Sequence, residues 1–185
     1  MNNVITSKDE ILKTSRELIQ QQGWSDINIR SVAAACGVSV GSIYNYFDSK
    51  ADLVVATVES VWSEIFRLPE NSAVFQDTQA CIIWMYGRME YGSERYPGFF
   101  TLHSLGFMQE EKAEGKRRMQ TTWQHILDGM VSVLRQDAKV RADAFTEQFT
   151  AENFADVLFS LMLSALLRQD YDPSAVLEIV RRSLY

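Results

Sequence analysis

Apolar residues recur three or four positions apart along most of this 185-residue chain, which is the spacing of one helix face. No long segment alternates apolar and polar residues with the period of two that marks a half-buried strand. Pro69, Pro97 and Pro173 each lie where a helical pattern begins or ends, because a proline inside a helix removes a backbone hydrogen bond. The pattern therefore predicts an all-α fold.

Capping and stop residues define the first helices. Ser7–Glu10 has the spacing of a capping box, and it opens a helix that Gly23 ends. Asn28 can cap a short second helix, since its side chain can accept hydrogen bonds from the first free N–H groups. Asp48 or Ser49 can cap a longer amphipathic helix that runs to the first proline.

Between these elements, residues 29–53 read IRSVAAACGVSVGSIYNYFDSKADL and contain a tight turn between two short helices. Gly37 can end the first of them in the left-handed conformation, and Ser39 can cap the second. Ile43 and Phe47 lie four residues apart and can share a buried face, which leaves the polar side chains exposed. Helix, turn and helix in this order can place the second helix in the major groove of DNA.

The polar side chains of the second helix are of types that suit DNA. An Asn side chain can pair with an adenine edge, a Ser hydroxyl can donate or accept, and a Tyr can reach a phosphate. Arg30 and Lys50 lie in the first turns of their helices, where a cation opposes the helix dipole unless a phosphate binds there. Both could be ordinary solvated charges, but their placement on opposite sides of the turn favours contacts with the DNA backbone.

Residues 29–53, preceded by a helix at Ser7–Gly23 and by Trp24, resemble the N-terminal DNA-binding domain of the TetR/AcrR family of bacterial transcriptional regulators. The resemblance departs from the family pattern at Ile29, where Thr is frequent, and at Val40, where Lys, Arg or Gln is common. The matching positions are Ala33, Gly37, Val38, Ser39, the run Ile43-Tyr44-Asn45-Tyr46-Phe47, Ser49-Lys50 and Leu53.

The resemblance also implies which residues touch DNA. Base-edge contacts come mainly from Ser42 and Asn45. Phosphate contacts come from Arg30, Ser39, Tyr44, Tyr46 and Lys50. The complete set that we predict to bind DNA is Arg30, Ser39, Gly41, Ser42, Tyr44, Asn45, Tyr46 and Lys50.

We predict two domains. Residues 1–50 form a three-helix helix-turn-helix DNA-binding domain, and residues 51–185 form a larger helical domain for ligand binding and dimerisation. In the larger domain the apolar spacing predicts helices from about Val74 to Tyr96, Gly98 to Met108, Gln109 to Gln136, Ala151 to Gln169 and Pro173 to Tyr185.

The predicted helix Ala151–Gln169 is apolar almost all round, so it must be covered on both sides. It could be an internal core helix. It could instead pair with its symmetry mate and with the helix Pro173–Tyr185 in a four-helix interface of a homodimer. The family resemblance implies this dimer interface.

The larger domain is rich in aromatic side chains between positions 62 and 123. Each one singly suits a packed core, but as a set they could line an apolar pocket. The resemblance implies a site for a small-molecule inducer in this region, and we expect a bulky hydrophobic or aromatic ligand that Tyr86, Glu90 or His103 helps to orient. The predicted lining is Trp62, Phe66, Trp84, Tyr86, Phe99, Phe100, His103, Phe107 and Trp123.

The net charge of −6 lies outside the predicted DNA-binding domain. In the first 50 residues five cations balance five anions, so the reading surface has few cations, and we expect weak binding by a monomer and strong dependence on salt. The balance is between Lys8, Lys13, Arg16, Arg30, Lys50 and Asp9, Glu10, Glu17, Asp26, Asp48.

Other classes of protein find little support in the sequence. There is no apolar run of membrane-spanning length and no signal segment at Met1–Asn3, so we expect a cytoplasmic protein. Cys36 and Cys81 are too few for a metal site or a disulfide framework. Because no phosphate loop, metalloprotease motif or nucleophile motif is present, we expect no enzyme, no cofactor and no metal.

The sequence thus predicts a transcriptional regulator, a repressor that a small hydrophobic or aromatic ligand releases from a near-palindromic operator. The alternative is an architectural or protein-partner adaptor of the same fold, which binds DNA but has no small-molecule inducer.

Overall fold

The computed structural model describes residues 6–24, 27–67, 77–100 and 113–185. These residues form eight α-helices and no strand, which confirms the all-α prediction. No helix in this part of the chain is long and apolar enough to cross a membrane. The helices are α1 (Lys8–Gln22), α2 (Ile29–Ala35), α3 (Val40–Tyr44), α4 (Lys50–Ile65), α5 (Thr78–Arg95), α6 (Ala113–Gln136), α7 (Ala151–Arg168) and α8 (Ser174–Leu184).

Most predicted helix ends agree with the structure to within a few residues. The hydroxyl of Ser7 caps α1 by accepting a hydrogen bond from the N–H of Glu10 at 3.1 Å, and Gly23 ends the helix at a φ of 84°. The helix expected from about Val74 is α5, which begins at Thr78. Most of the helix predicted at 98–108, and the start of the one predicted at 109–136, lie outside the described residues.

The chain divides into two compact units. The first lies within Met1–Ile65 and Gly92–Gly115, and the second within Phe66–Tyr91 and Lys116–Tyr185. The first unit reaches beyond residue 50 because α4 packs against α1. The predicted boundary between residues 50 and 51 divides the DNA-binding domain from the ligand-binding domain by function, and it stays a prediction.

In the first unit, apolar and ionic contacts hold α1 against α4. Ile11 and Ile19 are fully buried on one face of α1, as their spacing requires. On the same helix the Arg16 guanidinium lies 2.6 Å from the Glu64 carboxylate and also hydrogen-bonds the Ser60 hydroxyl. Because Arg16 forms these contacts with α4, its charge stabilises the packing of α1 against α4.

An aromatic cluster fills the rest of this unit. The ring of Phe99 lies 5.6 Å from that of Trp24, 6.1 Å from that of Trp62 and 5.2 Å from that of Phe100. Gly92 allows the close packing, since a Cβ there would lie 2.7 Å from Cδ1 of Ile65. All four aromatic side chains are buried, so they form a packed core.

In the second unit, α7 begins at a capping box formed by Thr150 and Asn153, and it ends at Gln169 in the left-handed conformation. One face of the helix is buried and includes Phe154, Leu158 and Met162. The opposite face leaves apolar side chains exposed in the single chain, including Val157 and Leu167. Among the described residues, this helix is therefore covered on one face only.

A buried carboxylate joins three segments of the second unit. Asp137 is 5% exposed, and its Oδ2 accepts hydrogen bonds from the Thr78 N–H at 2.8 Å, the Thr78 hydroxyl at 2.9 Å and the Tyr185 hydroxyl at 2.6 Å. Its Oδ1 accepts from the N–H of Lys139 at 3.0 Å. The start of α5, the end of α6 and the end of α8 are therefore linked through one side chain.

Candidate functional site

The turn between α2 and α3 is built from local capping bonds. Oδ1 of Asn28 accepts hydrogen bonds from the N–H groups of Arg30 and Ser31, both at 3.0 Å, and the Asn28 N–H donates to the Ser31 hydroxyl at 3.1 Å. Gly37 then adopts a φ of 67°, where a side chain would be strained. Because the Arg30 N–H is already bonded, a phosphate contact from this residue would come from its guanidinium group.

Helix α3 is capped by Ser39, as predicted. Its Oγ accepts a hydrogen bond from the Ser42 N–H at 3.1 Å and lies 2.9 Å from the Ser42 Oγ. Ile43 and Phe47 are both buried and anchor this helix and the residues after it to the core of the first unit. The packing of these two side chains therefore determines which face of α3 points away from the core.

The outward surface of α3 and of the two residues after it contains several of the predicted DNA contacts. Tyr44 is 50% exposed, and Gly41 and Asn45 are also exposed, whereas Ser42 is half-buried. Tyr46 is exposed, but its hydroxyl donates a 2.5 Å hydrogen bond to the carbonyl oxygen of Thr6. The Tyr46 oxygen can still accept a hydrogen bond, and the bond to Thr6 fixes the direction of the ring.

Packing among the described residues does not require glycine at position 41. A Cβ at this position would meet only the Ser39 hydroxyl, at an ordinary contact distance of 3.7 Å. Glycine inside a helix is destabilising by roughly 0.5–1 kcal/mol relative to alanine. The bare backbone at Gly41 leaves room for a molecule outside the protein to approach closely.

Few cations are available near this surface. Arg30 and Lys50 are exposed, and neither forms an ion pair with another described residue. By contrast, Arg16 is paired with Glu64, and Lys8 lies over the ring of Phe47 at 5.4 Å. Because these contacts engage Arg16 and Lys8, the folded first unit offers few cations for binding phosphates, as the sequence predicts.

The start of α4 settles which residue caps it. The Ser49 hydroxyl accepts a hydrogen bond from the Asp52 N–H at 3.1 Å, so Ser49 takes the role that the sequence left open between Asp48 and Ser49. The Asp48 N–H donates to the Asp52 carboxylate at 3.2 Å. Lys50 therefore occupies the first turn of α4, as predicted.

The second unit contains a cavity of about 510 Å³ between α5 and α6. Its walls are mostly apolar side chains, including two aromatic and three sulfur-containing ones, and α6 contributes the polar groups. The lining residues are Phe66, Cys81, Trp84, Met85, His125, Ile126, Gly129, Met130, Ser132, Val133 and Gln136.

The aromatic residues that we predicted as one ligand site have different surroundings in the structure. Phe66 and Trp84 line the cavity, with ring centroids 6.3 Å apart. Trp123 packs edge-on against Phe159 at 5.7 Å, and Tyr86 is buried on α5. Trp62, Phe99 and Phe100 belong to the aromatic cluster of the first unit, and His103 and Phe107 lie outside the described residues.

Most of the cavity walls were not among the predicted site residues. Ile126, Gly129, Met130 and Val133 follow the three- and four-residue spacing of one α6 face, which was visible in the sequence but indicated only packing. Cys81 lies on α5, and burial raises the pKa of its thiol to about 12. The thiol therefore stays protonated and acts as a small apolar group.

A segment of the first unit matches a known protein family. Residues 11–57 match the family model described as bacterial regulatory proteins, tetR family. The chain is 21% identical over 177 residues to the uncharacterized HTH-type transcriptional regulator YuxN of Bacillus subtilis (strain 168), which covers 92% of this chain. It is 29% identical over 91 residues, or 49% of this chain, to the HTH-type transcriptional repressor KstR of Mycobacterium tuberculosis. The chain spans 59% and 41% of the lengths of these two relatives.

Solved structures share the fold across both units. FadR of Bacillus subtilis, in complex with stearoyl-CoA, aligns with a TM-score of 0.66 at 16% identity over 97% of this chain and 100% of its own. A putative TetR transcriptional regulator of Streptomyces avermitilis aligns at 0.67 and 15% identity over 98% and 100%. The multidrug binding protein EbrR, complexed with imidazole, aligns at 0.64 and 19% identity over 98% and 96%. At these identities the likeness shows the fold alone.

Proposed function

We infer that this chain, which belongs to the tetR family of bacterial regulatory proteins, is a DNA-binding transcriptional repressor that a small molecule releases from its operator. The observation that carries the proposal is the surface of α3. A side-chain cap and the buried Ile43 hold this helix, and Tyr44 and Asn45 point outward. A fixed, exposed helix with polar and aromatic side chains suits the major groove.

The contacts divide into two kinds. Asn45 and Ser42 read base edges, because an Asn amide can pair with adenine and a Ser hydroxyl can donate or accept. Arg30 and Lys50 contact phosphates through their charges, together with the hydroxyls of Ser39, Tyr44 and Tyr46. Arg30 and Lys50 are the two cations of this contact set, and each phosphate that they neutralise should add about one unit to the slope of affinity against salt.

The proposed assembly is a homodimer that uses α7 and α8. Val157 and Leu167 on α7 and Ile179 on α8 are large apolar side chains exposed in the single chain. Burying them against a second copy would remove apolar surface from water. Two copies related by a two-fold axis would read a near-palindromic operator with half-site centres one helical turn, or a little more, apart.

The proposed effector is a small hydrophobic or aromatic molecule in the α5–α6 cavity. Fold neighbours have been solved with stearoyl-CoA and with imidazole, which supports the use of this fold to hold small molecules. An effector that binds more tightly to a DNA-incompetent state than to the DNA-binding state would release the operator by a shift in population.

Asn45→Ala and Lys50→Ala should weaken DNA binding in different ways. Asn45→Ala should cost roughly 1–3 kcal/mol at one base position and relax specificity there, because a base-edge contact is lost. Lys50→Ala should weaken all DNA sequences alike and lower the slope of affinity against salt by about one unit. The measurement is equilibrium binding to operator and random duplexes at several salt concentrations.

Lys13→Ala is the matched control, since Lys13 is an exposed lysine of α1 outside the predicted contact set. It should leave both affinities unchanged. If Asn45→Ala and Lys50→Ala reduced binding to operator and random DNA by the same factor, the division between base and phosphate contacts would be wrong.

A further inference from the structure

The α5–α6 cavity has an uncharged lining. Its described walls contain no Asp, Glu, Lys or Arg. They consist of the rings of Phe66 and Trp84, apolar and sulfur-containing side chains, and the polar groups of His125, Ser132 and Gln136. All of these residues belong to the second unit.

This lining selects against charged ligands. Moving an ionised group out of water without an opposite charge is costly, and the cost exceeds what neutral hydrogen bonds return. Phosphate groups are recognised by Arg and Lys, which the described walls do not supply. A carboxylate, phosphate or ammonium group that is buried against these walls should therefore bind poorly.

The size and wall chemistry favour a flat aromatic molecule. A volume of about 510 Å³ lies within the roughly 300–1,000 Å³ of small-molecule pockets and accommodates about two or three rings. The rings of Phe66 and Trp84 meet edge to face, and an aromatic ligand can extend that packing. Met85 and Met130 can adapt their side chains to the ligand outline.

Gly129 keeps part of this space open. It lies inside α6, where glycine is destabilising relative to alanine, yet a Cβ built on it would meet no other group within 4 Å. Packing in the described chain therefore gives no reason for glycine at this position. Gly129 is exposed and lines the cavity, so a larger side chain at this position can occupy part of that space.

We propose that the α5–α6 cavity binds a neutral, flat aromatic effector with one hydrogen-bonding group, and that Gly129 provides the room for its rings. The hydrogen-bonding group meets Ser132, Gln136 or His125, the polar residues of the α6 wall. This inference rests on the proposed function, in which the same cavity holds the effector.

Calorimetric titration with matched probes tests the proposal. The probes are 2-naphthamide, which is neutral, 2-naphthoate, which is an anion, and 2-naphthylmethylammonium, which is a cation. At pH 8, 2-naphthamide should bind at least about tenfold more tightly than either charged probe.

Two leucine variants test the role of the glycine. Gly129→Leu should reduce 2-naphthamide binding at least about tenfold, because the new side chain occupies the cavity. Gly87→Leu is the matched control: Gly87 is also helical, also open around its Cβ position, and does not line the cavity. It should bind 2-naphthamide like the wild type, and both variants should keep the wild-type unfolding temperature or raise it.

Three results would overturn the cavity proposal: no binding by 2-naphthamide, a charged probe that binds as tightly, or equal loss in Gly129→Leu and Gly87→Leu. Operator binding by the same preparations separates this failure from failure of the proposed function. If the wild type, Gly129→Leu and Gly87→Leu all bind operator but one of these three results is found, only the cavity assignment is wrong. If the wild type does not bind any selected operator, the proposed function itself is wrong.

Discussion

Leu167→Glu is expected to convert the protein from a dimer, with about twice its chain mass of 21.1 kDa, to a monomer that binds operator at least about 100-fold more weakly. Leu167 is 58% exposed on α7, so the glutamate should be tolerated by the fold of a single chain. In a dimer built on α7 it would bury an unpaired charge, which is strongly unfavourable.

The loss of DNA affinity follows from the small number of cations on the reading surface. A single α3 with Arg30 and Lys50 neutralises few phosphates, so each half of the dimer binds weakly by itself. Joining two halves makes the second contact intramolecular, and this gain is typically about 10²–10⁴ in affinity. Separating the copies removes that gain without altering α3.

Ile83→Glu is the matched control. Ile83 is 53% exposed on α5, and it has a similar size and exposure but lies outside the proposed interface. This variant should remain dimeric by light scattering and should bind operator like the wild type. A Leu167→Glu protein that stays dimeric with full operator affinity would show that α7 does not form the interface.

Asp137→Ala should lower the free energy of unfolding by about 2–4 kcal/mol, the largest stability effect that we expect from a single polar substitution. The change leaves the buried N–H and hydroxyl groups of Thr78, and the part-buried Lys139 N–H and Tyr185 hydroxyl, without their acceptor. Urea or thermal denaturation followed by circular dichroism measures the loss.

The same carboxylate predicts how stability changes with acid. Burial alone would raise the pKa of Asp137, but hydrogen bonds from Tyr185, Thr78 and Lys139 outweigh burial and hold this pKa below its ordinary value of 3.8. A lowered pKa in the folded state gives stability that is complete above about pH 4 and is lost as the pH falls below that value. Asp137→Asn should therefore lose less stability than the wild type between pH 4 and the acid limit of folding.

Asp143→Ala is the control for both measurements, because the Asp143 side chain is 83% exposed and lies 3.9 Å from Arg141. It should change the free energy of unfolding by no more than about 0.5 kcal/mol. Equal destabilisation by Asp137→Ala and Asp143→Ala would mean that the buried hydrogen bonds of Asp137 contribute nothing specific.

Local chemistry explains what the sequence could predict. The caps at Asn28 and Ser39 and the turn at Gly37 depend on residues within a few positions of one another, and the structure has them as expected. The buried faces of α1 and α3 follow from the same short spacing. These features define the surface of α3, so the candidate DNA interface could be derived before any coordinates.

Contacts between distant segments could not be predicted in the same way. Aromatic residues of a packed core and of a cavity wall have the same composition, so Trp62 and Phe99 resembled Phe66 and Trp84 in the sequence. Asp137 lies 59 residues from Thr78 and 48 from Tyr185, and no local pattern connects them. Only the packing of helices brings these groups together.

Selection of bound duplexes from a random DNA pool by the intact protein tests the central claim most directly. The account predicts enrichment of a near-palindromic sequence whose half-site centres lie about one helical turn, or a little more, apart. It also predicts that Asn45→Ala loses preference at one position in each half-site, since the two copies read equivalent bases. A pool that shows no enrichment, or a single asymmetric site without a second half, would contradict the account.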